Sequence, residues 1–419
     1  MSAGRYWLET LGCPKNQVDS DKLAGTLAAD GYRPAPAPEE ADLVVVNTCA
    51  FIEAARQESV ATILDLAAQR APGARLVVTG CLAERYGAEL SAALPEVDQV
   101  AGFGVPVTLT AKPAVPAFDL LNLPRPPAAA PWAYVKVAEG CNRSCGFCAI
   151  PSFRGRQRSR DSADILAEVE HLGVREVVLV AQDLASYGSD LGQRGAIVDL
   201  VTAVAARVDR VRLLYLYPSD LSESLIEVMV QTGCPYFDLS LQHVSRPHLR
   251  RMRRWGDGDR FLERIRRIRE VAPDAAFRSS FLVGYPGETE EDHDQLLRFL
   301  DEAQLDWVGF FAFSPEEGTY AADRGDQVPA PLVAERLAEC TERQDPITAR
   351  RRLALVGQET SVLIDTPGTA RSHREAPEID GVVAVPEDLP AGEWAHVVVT
   401  GATGPDLEAL PAARPPRAG

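Results

Sequence analysis

The sequence predicts an α/β protein in three parts: an N-terminal parallel α/β domain, a central partial (β/α)6 barrel and a small C-terminal antiparallel β-barrel. Short apolar, β-branched runs alternate with amphipathic stretches as far as Leu353, the pattern of parallel strands buried beneath helices. From about Ala354 the helical period stops, and alternating runs separated by turn residues take over. Cysteines recur just after several of the strand-like runs, where open α/β sheets bind their ligands.

The first hundred residues read as repeated strand-then-helix units. Tyr6 to Leu11, Asp42 to Val46 and Arg75 to Val78 are short runs of the kind that form buried parallel strands. Each is followed closely by a cysteine: Cys13 in LETLGC, Cys49 in VVVNTC and Cys81 in VVTGC. One such cysteine would read as a buried structural thiol. Three beyond the carboxyl ends of their strands can converge, although 36 and 32 residues separate them.

Between Pro106 and Pro131 the chain is rich in Pro and Ala and reads as a semi-rigid linker. Domain boundaries are expected at 1–117, with the linker at 118–130, the central domain at 131–353 and the terminal barrel at 354–419. Strand-like runs recur at Trp132 to Ala138, Glu176 to Ala181, Val211 to Tyr217, Tyr236 to Leu241, Ala276 to Val283 and Trp307 to Phe313. Helical stretches separate them, among them Asp161 to Leu172, Asp259 to Val271 and Glu288 to Ala303. Six strands fit a partial barrel better than a closed eight-stranded one. In the last segment Ser361 to Ile364, Gly381 to Val385 and Trp394 to Thr400 alternate as strands, and the closing PAARPPRAG is expected to be disordered.

A net charge of -17 argues against a surface that grips nucleic acid all over, because phosphate binding relies on Lys and Arg. The segment 354–419 holds four Arg, no Lys and ten Asp plus Glu. It either docks onto a basic protein or is a solvated acidic surface. The N-terminus lacks a charged n-region and an apolar h-region, and no apolar run approaches the roughly 18 residues that span a bilayer. A cytoplasmic location is expected, where eight cysteines point to metal or catalysis rather than disulfides.

The most specific signal is the run Glu139-Gly-Cys-Asn-Arg-Ser-Cys-Gly-Phe-Cys-Ala-Ile-Pro151, just after the first barrel strand. Cys141, Cys145 and Cys148 offer three thiolates, one short of the four that usually hold a 4Fe-4S cluster. A zinc site would need a fourth ligand and usually shows paired CxxC spacings, and no second pair exists in the chain. A ferredoxin would add a further Cys, usually before Pro. Cys234 and Cys340 match neither triad and read as structural; the ten Arg between Arg246 and Arg269 read as a solvated helix face or a contact surface.

With Phe147 before its last cysteine, this run resembles the signature of radical S-adenosylmethionine (SAM) enzymes. The resemblance implies a 4Fe-4S cluster whose open iron chelates SAM and whose electron cleaves it to a 5'-deoxyadenosyl radical. The whole chain resembles the methylthiotransferases, whose last module is the TRAM domain. That family implies that Cys13, Cys49 and Cys81 hold an auxiliary cluster carrying sulfur, so the expected cofactors are two 4Fe-4S clusters and SAM.

The words GCPKNQVDSD, NTCAFIEAARQES, LPEVDQVAGFG, VAQDLASYG, SLQHVS, VGYPGET and EAPEIDG look like the branch that modifies ribosomal protein S-twelve. The transfer RNA branch has GCQMN-like and NTCSIR-like words, absent here. The implied reaction adds a methylthio group to the β-carbon of an aspartate, with a flavodoxin or ferredoxin as low-potential electron donor, no membrane and no direct contact with transfer RNA. That C–H bond is not acidic enough for a side-chain base, so no general acid or base is assigned. A transfer RNA adenosine methylthiotransferase is the alternative enzyme, and a non-catalytic iron-sulfur carrier the alternative class.

Candidate SAM contacts remain two-sided. Phe147 and Ile150 either pack against adenine or belong to the core. Gln182 and Asp183 either reach SAM or cap a strand. Gly284, Pro286 and Gly287 either let backbone approach the cofactor or form a plain turn.

Overall fold

The computed structural model describes residues 4–107 and 119–412. The first sheet alternates with helices: β1 Arg5–Thr10, α1 Pro14–Ala29, β2 Arg33–Pro34, β3 Leu43–Thr48, α2 Glu53–Gln69, β4 Arg75–Gly80, α3 Cys81–Ala93 and β5 Gln99–Val100. Its strands are all parallel in the order β2-β1-β3-β4-β5. Central β3 is buried at every residue, so its run LVVVNT needs no polar face.

The second unit opens with β6 Trp132–Lys136, the short β7 Ala138–Glu139, α4 Ile150–Arg154 and β8 Arg158–Ser159. It continues through α5 Ser162–Leu172, β9 Glu176–Val180, α6 Ala196–Ala205, β10 Arg210–Leu213, α7 Glu223–Gln231, β11 Tyr236–Gln242, α8 Arg246–Arg251, α9 Gly258–Val271, β12 Ala276–Val283, α10 Glu290–Ala303 and β13 Trp307–Ala312. The parallel sheets β6-β9-β10 and β11-β12-β13 are joined by a bridge between Leu216 and Leu239, giving six strands in a partial barrel. Alternation splits its side chains: Ala133, Val135, Val177 and Leu179 join the core under the helices, whereas Tyr134, Val178, Val180 and Tyr236 line the lumen.

Two segments from outside the barrel close the lumen. Val18 of α1 packs into it, as does Ala376 from the loop 372–380. That loop belongs to the C-terminal unit, reached through α11 Ala330–Leu353 and built from β14 Glu359–Thr366, β15 Thr369–Arg371, β16 Val383–Ala384, β17 Trp394–Thr403 and β18 Asp406–Pro411. These strands close a barrel in the order β14-β15-β16-β18-β17. Its pairs are antiparallel except β16 with β18, a parallel pair that the alternating pattern could not disclose.

The small barrel sits at the amino ends of the large barrel's strands. Glu176, first residue of β9, meets Arg371 at 3.0 Å and Arg212 at 2.8 Å. Tyr134 Oη donates to Pro377 O at 2.9 Å, and Trp307 Nε1 to Arg374 O at 2.7 Å. Burial alone would raise the Glu176 carboxyl, but Arg371, Arg212 and Arg210 hold it down at about 2.

Three expectations change. The described part of the Pro/Ala-rich stretch is tied down rather than free: Arg125 donates to Tyr134 O at 2.7 Å and meets Glu168 at 3.1 Å, and Lys22 donates to Leu123 O at 3.1 Å. Residues 108–118 of the linker lie outside the described residues. Pro411 ends a paired strand, so the expected disorder cannot begin there, and 413–419 also lie outside the described residues. The acidic surplus of the small barrel is partly internal, because Asp365 pairs with Arg371, Glu375 with Arg352 and Asp380 with Arg278.

Candidate active site

The sheet order makes β1, β3 and β4 neighbours, and each hands the chain to a cysteine at its carboxyl end. Cys13 caps the start of α1, Cys49 follows β3, and Cys81 is the first residue of α3. Asn16 knits the ends together: its amide donates to Leu11 O at 2.8 Å and Thr48 O at 3.0 Å. Ser59 clamps the backbone of Cys49 by accepting from its N–H at 3.1 Å and donating to its carbonyl at 3.0 Å. Gly12 has a left-handed φ of 97°, and a Cβ there would stand 3.1 Å from Cys49 Sγ. A larger residue would push into the space the three thiols share.

The second triad lies on the loop between β7 and α4, at the carboxyl end of β6. Arg143 N–H donates to Cys141 Sγ at 3.3 Å, and Arg254 Nη1 to Cys145 Sγ at 3.3 Å. The loop is held by Arg143, which meets Asp183 at 2.6 Å and also pairs with Asp220.

The chemistry of the two triads suits a cluster better than one ion. Each triad offers three thiolates, one short of the four ligands of a closed tetrahedral zinc site. Both carry N–H donors aimed at sulfur, the contact that tunes iron-sulfur centres. Burial pushes the metal-free thiols of Cys49 and Cys141 up to about 11 and that of Cys148 to about 12, so loading must release protons. Cys13 runs the other way, because Lys15 and the N–H of Asn16 outweigh its burial.

A buried polar node joins the triads. Arg154, at the end of α4, donates to Cys81 Sγ at 2.9 Å and to Asn16 Oδ1 at 2.9 Å, while meeting Asp19 and Glu139 at 3.1 Å each. Lys136 pairs with the same two carboxylates, at 2.5 and 2.7 Å. Burial alone would raise Glu139; Arg154 and Lys136 bring it down to about 2. The N-terminal unit is pinned again by Glu316, which follows β13 and binds both Arg56 and Arg85.

The other predicted residues fall into two groups. Gln182 Nε2 donates to Glu139 Oε1 at 2.6 Å, and Asp183 is engaged by Arg143 and Ser186, so both belong to the support of the CxxxCxxC loop. Phe147 packs partly against the main core, and half-buried Ile150 opens α4. The space above Gly284 is filled by Val333 and that above Gly287 by Asp326 and Arg251, with buried Pro286 between them; Gly284 N–H donates to Glu288 at 2.6 Å.

Sequence reasoning missed Arg154, Arg254 and Lys15. Arg154 offered one signal, its place six residues beyond Cys148, but its partners are up to 138 residues away. A further buried group, His243, His248 and Glu288, brings ligand-type atoms within 4.8 Å. It does not suit a metal ion: Ser245 N–H occupies His243 Nδ1 at 3.1 Å, which leaves the proton on Nε2, and Arg336 already engages Glu288. Cys234 and Cys340 are buried away from both triads.

A three-strand-ended cysteine triad facing a six-stranded barrel with a CxxxCxxC loop defines a radical SAM protein with an appended cysteine domain. The Radical SAM superfamily model matches residues 135–300, flanked by the uncharacterized protein family UPF0004 at 5–102 and a TRAM domain at 356–411. The ribosomal protein uS12 methylthiotransferase RimO of Streptomyces coelicolor is 40% identical, covering 96% of this chain and 96% of that protein. That of Moorella thermoacetica is 43% identical over 93% of this chain and 95% of its own. The chain belongs to this family of methylthiotransferases. Among solved structures, the radical SAM methyltransferase TsrM from Kitasatospora setae shares the fold at 15% identity, with a TM-score of 0.50 over 76% of this chain and 73% of that one.

Proposed function

We infer that this protein transfers a methylthio group to the β-carbon of an aspartate in ribosomal protein uS12. The observation that carries the reading is its identity, along nearly the whole chain, to relatives bearing that name. The enzyme uses SAM and an iron-sulfur cofactor, which supply the radical chemistry that an unacidified C–H bond requires.

In this reading Cys141, Cys145 and Cys148 hold the cluster that engages SAM, and Cys13, Cys49 and Cys81 hold a second, auxiliary one. Arg143, fixed by Asp183, and Glu139, fixed by Lys136 and Arg154, keep the SAM loop rigid. Gln182 shares that support through Glu139, while Phe147, Ile150 and the Gly284-Pro286-Gly287 turn border the place for SAM. Arg154 spans from that loop to Cys81 and sets the distance between the sites. No side chain here acts as general acid or base.

Residues 1–117 form the auxiliary-cluster domain, 131–353 the radical domain, and 354–419 a docking module for a basic protein, at the pole opposite the cysteines. The docking module would therefore touch parts of the substrate remote from the reacting aspartate. A flavodoxin or ferredoxin in the cytoplasm supplies electrons, and transfer RNA is not bound. No helix of the described residues is long and apolar enough to cross a membrane.

The test is mass spectrometry of uS12 from cells with and without this gene. One aspartate should gain the mass of a methylthio group in place of hydrogen only when the gene is present. An unchanged uS12 together with methylthioadenosine in transfer RNA would replace the substrate assigned here.

A further inference from the structure

Lys15 stands in an expensive place with no carboxylate partner among the described residues. It is the second residue of α1, where the helix dipole disfavours a cation, and it is half-buried two residues from Cys13. Its Nζ lies 3.5 Å from the centroid of the Tyr215 ring, across the gap between the N-terminal sheet and the large barrel. Among the described residues it forms no ion pair.

The neighbouring charges are already committed. Lys136 and Arg154 take Asp19 and Glu139, and Arg278 takes Asp238 at 3.2 Å. Tyr215 is itself held in an unusual conformation. It lies two residues beyond β10 with a left-handed φ of 66°, and its N–H donates to Asp238 at 2.9 Å. Such backbone strain in a non-glycine residue persists only where surrounding structure enforces it. The result is a ring that supports an ammonium group with no carboxylate partner among the described residues, between Cys13, whose thiol it holds down, and the carboxyl end of the barrel.

A compact ammonium with three donors, on an aromatic floor, fits a single carboxylate. A phosphate backbone would call for a track of free cations, and Lys15 is the one left unpaired among those around it. We propose that Lys15 binds the side-chain carboxylate of the target aspartate, holding its β-carbon between the two cysteine triads. This inference rests on the uS12 reading above and adds the contact by which the substrate residue itself is recognised. Anchored at its carboxylate, the aspartate can turn its β-hydrogens to the barrel side while its β-carbon stays next to Cys13.

The experiment is an anaerobic binding measurement with purified holoenzyme and labelled uS12, in a two-by-two design. Enzyme is wild type or Lys15→Met; substrate carries the target aspartate or its Asn substitution. Wild type should prefer the aspartate by at least about tenfold, the effect of one hydrogen bond to a charged group. Lys15→Met should bind both substrates alike, so that the two changes are strongly non-additive. Iron content separates a lost cluster from a lost contact, and Lys15→Gln replaces the methionine variant if iron falls.

Equal binding of both substrates by wild type, or an aspartate preference that survives in Lys15→Met, overturns the proposal. So does a Lys15→Met variant weakened only toward an RNA oligonucleotide. If wild type neither binds nor modifies uS12, the functional reading itself fails. If it modifies uS12 without preferring the aspartate at the binding step, only Lys15 is misassigned.

Discussion

At the scale of single residues, the two triads should be separable by mutation. Cys141→Ala should abolish 5'-deoxyadenosine formation yet retain about four of the roughly eight irons expected for two clusters. Cys49→Ala should retain the other four and some SAM cleavage but lose methylthio transfer; wild-type modification by this variant would show that Cys49 has another role. Arg154 carries a different prediction. Its guanidinium is buried against Asp19 and Glu139, and removing one member of such a network costs about 3–5 kcal/mol. Arg154→Gln should lower the urea midpoint of the apoprotein accordingly, and a change near zero would mean that the node contributes nothing. The strand-end positions of Cys13, Cys49 and Cys81 and the single loop that carries Cys141, Cys145 and Cys148 were legible in the sequence, because spacing marks them. Arg154 and Lys15 were not, since a charge reveals its partner only after two domains have closed on each other.

At the scale of elements, the strand ends and helix caps were the readable parts. The run Ala276 to Val283 coincides with β12, and the helix expected from Asp161 begins at Ser162 with Asp161 as its cap, accepting from Ala163 N–H at 2.8 Å. The stretch expected to be helical from Glu288 instead starts at Glu290, because Thr289 and Asp292 form a reciprocal capping box. Thr289→Ala should cost about 1 kcal/mol of stability, read as a shift in denaturation midpoint. β15 and β18 escaped the sequence reading. β15 is three residues long, and β18 runs into the proline-rich tail that composition alone marks as unstructured.

At the scale of the whole molecule, the small barrel behaves as a structural cap on the large one. Glu176 makes this testable by pH. Its folded carboxyl titrates near 2, below the roughly 4.3 of an unfolded glutamate, so its contribution is fully present above that higher value and is lost as pH falls toward 2. The full contribution is roughly 3 kcal/mol. The stability gap between wild type and Glu176→Gln should therefore be largest near neutral pH and shrink steadily below about pH 4.3. A gap independent of pH would remove the carboxylate from the account. Deleting 354–419 would strip Arg371 from Glu176 and leave the lumen open beside Tyr134.

The plug formed by loop 372–380 also bears on how such proteins can be recombined. A terminal module borrowed from a relative that modifies another substrate would arrive with its own loop, cut to a different lumen. Ser372, His373 and Pro377 offer backbone carbonyls to Arg210, Arg212 and Tyr134, so the graft works only if those three recipients match the donor. Shuffling of whole modules is thereby discouraged. Exposed positions of β17 and β18, which lie outside these contacts, can change sequence without unsealing the large barrel.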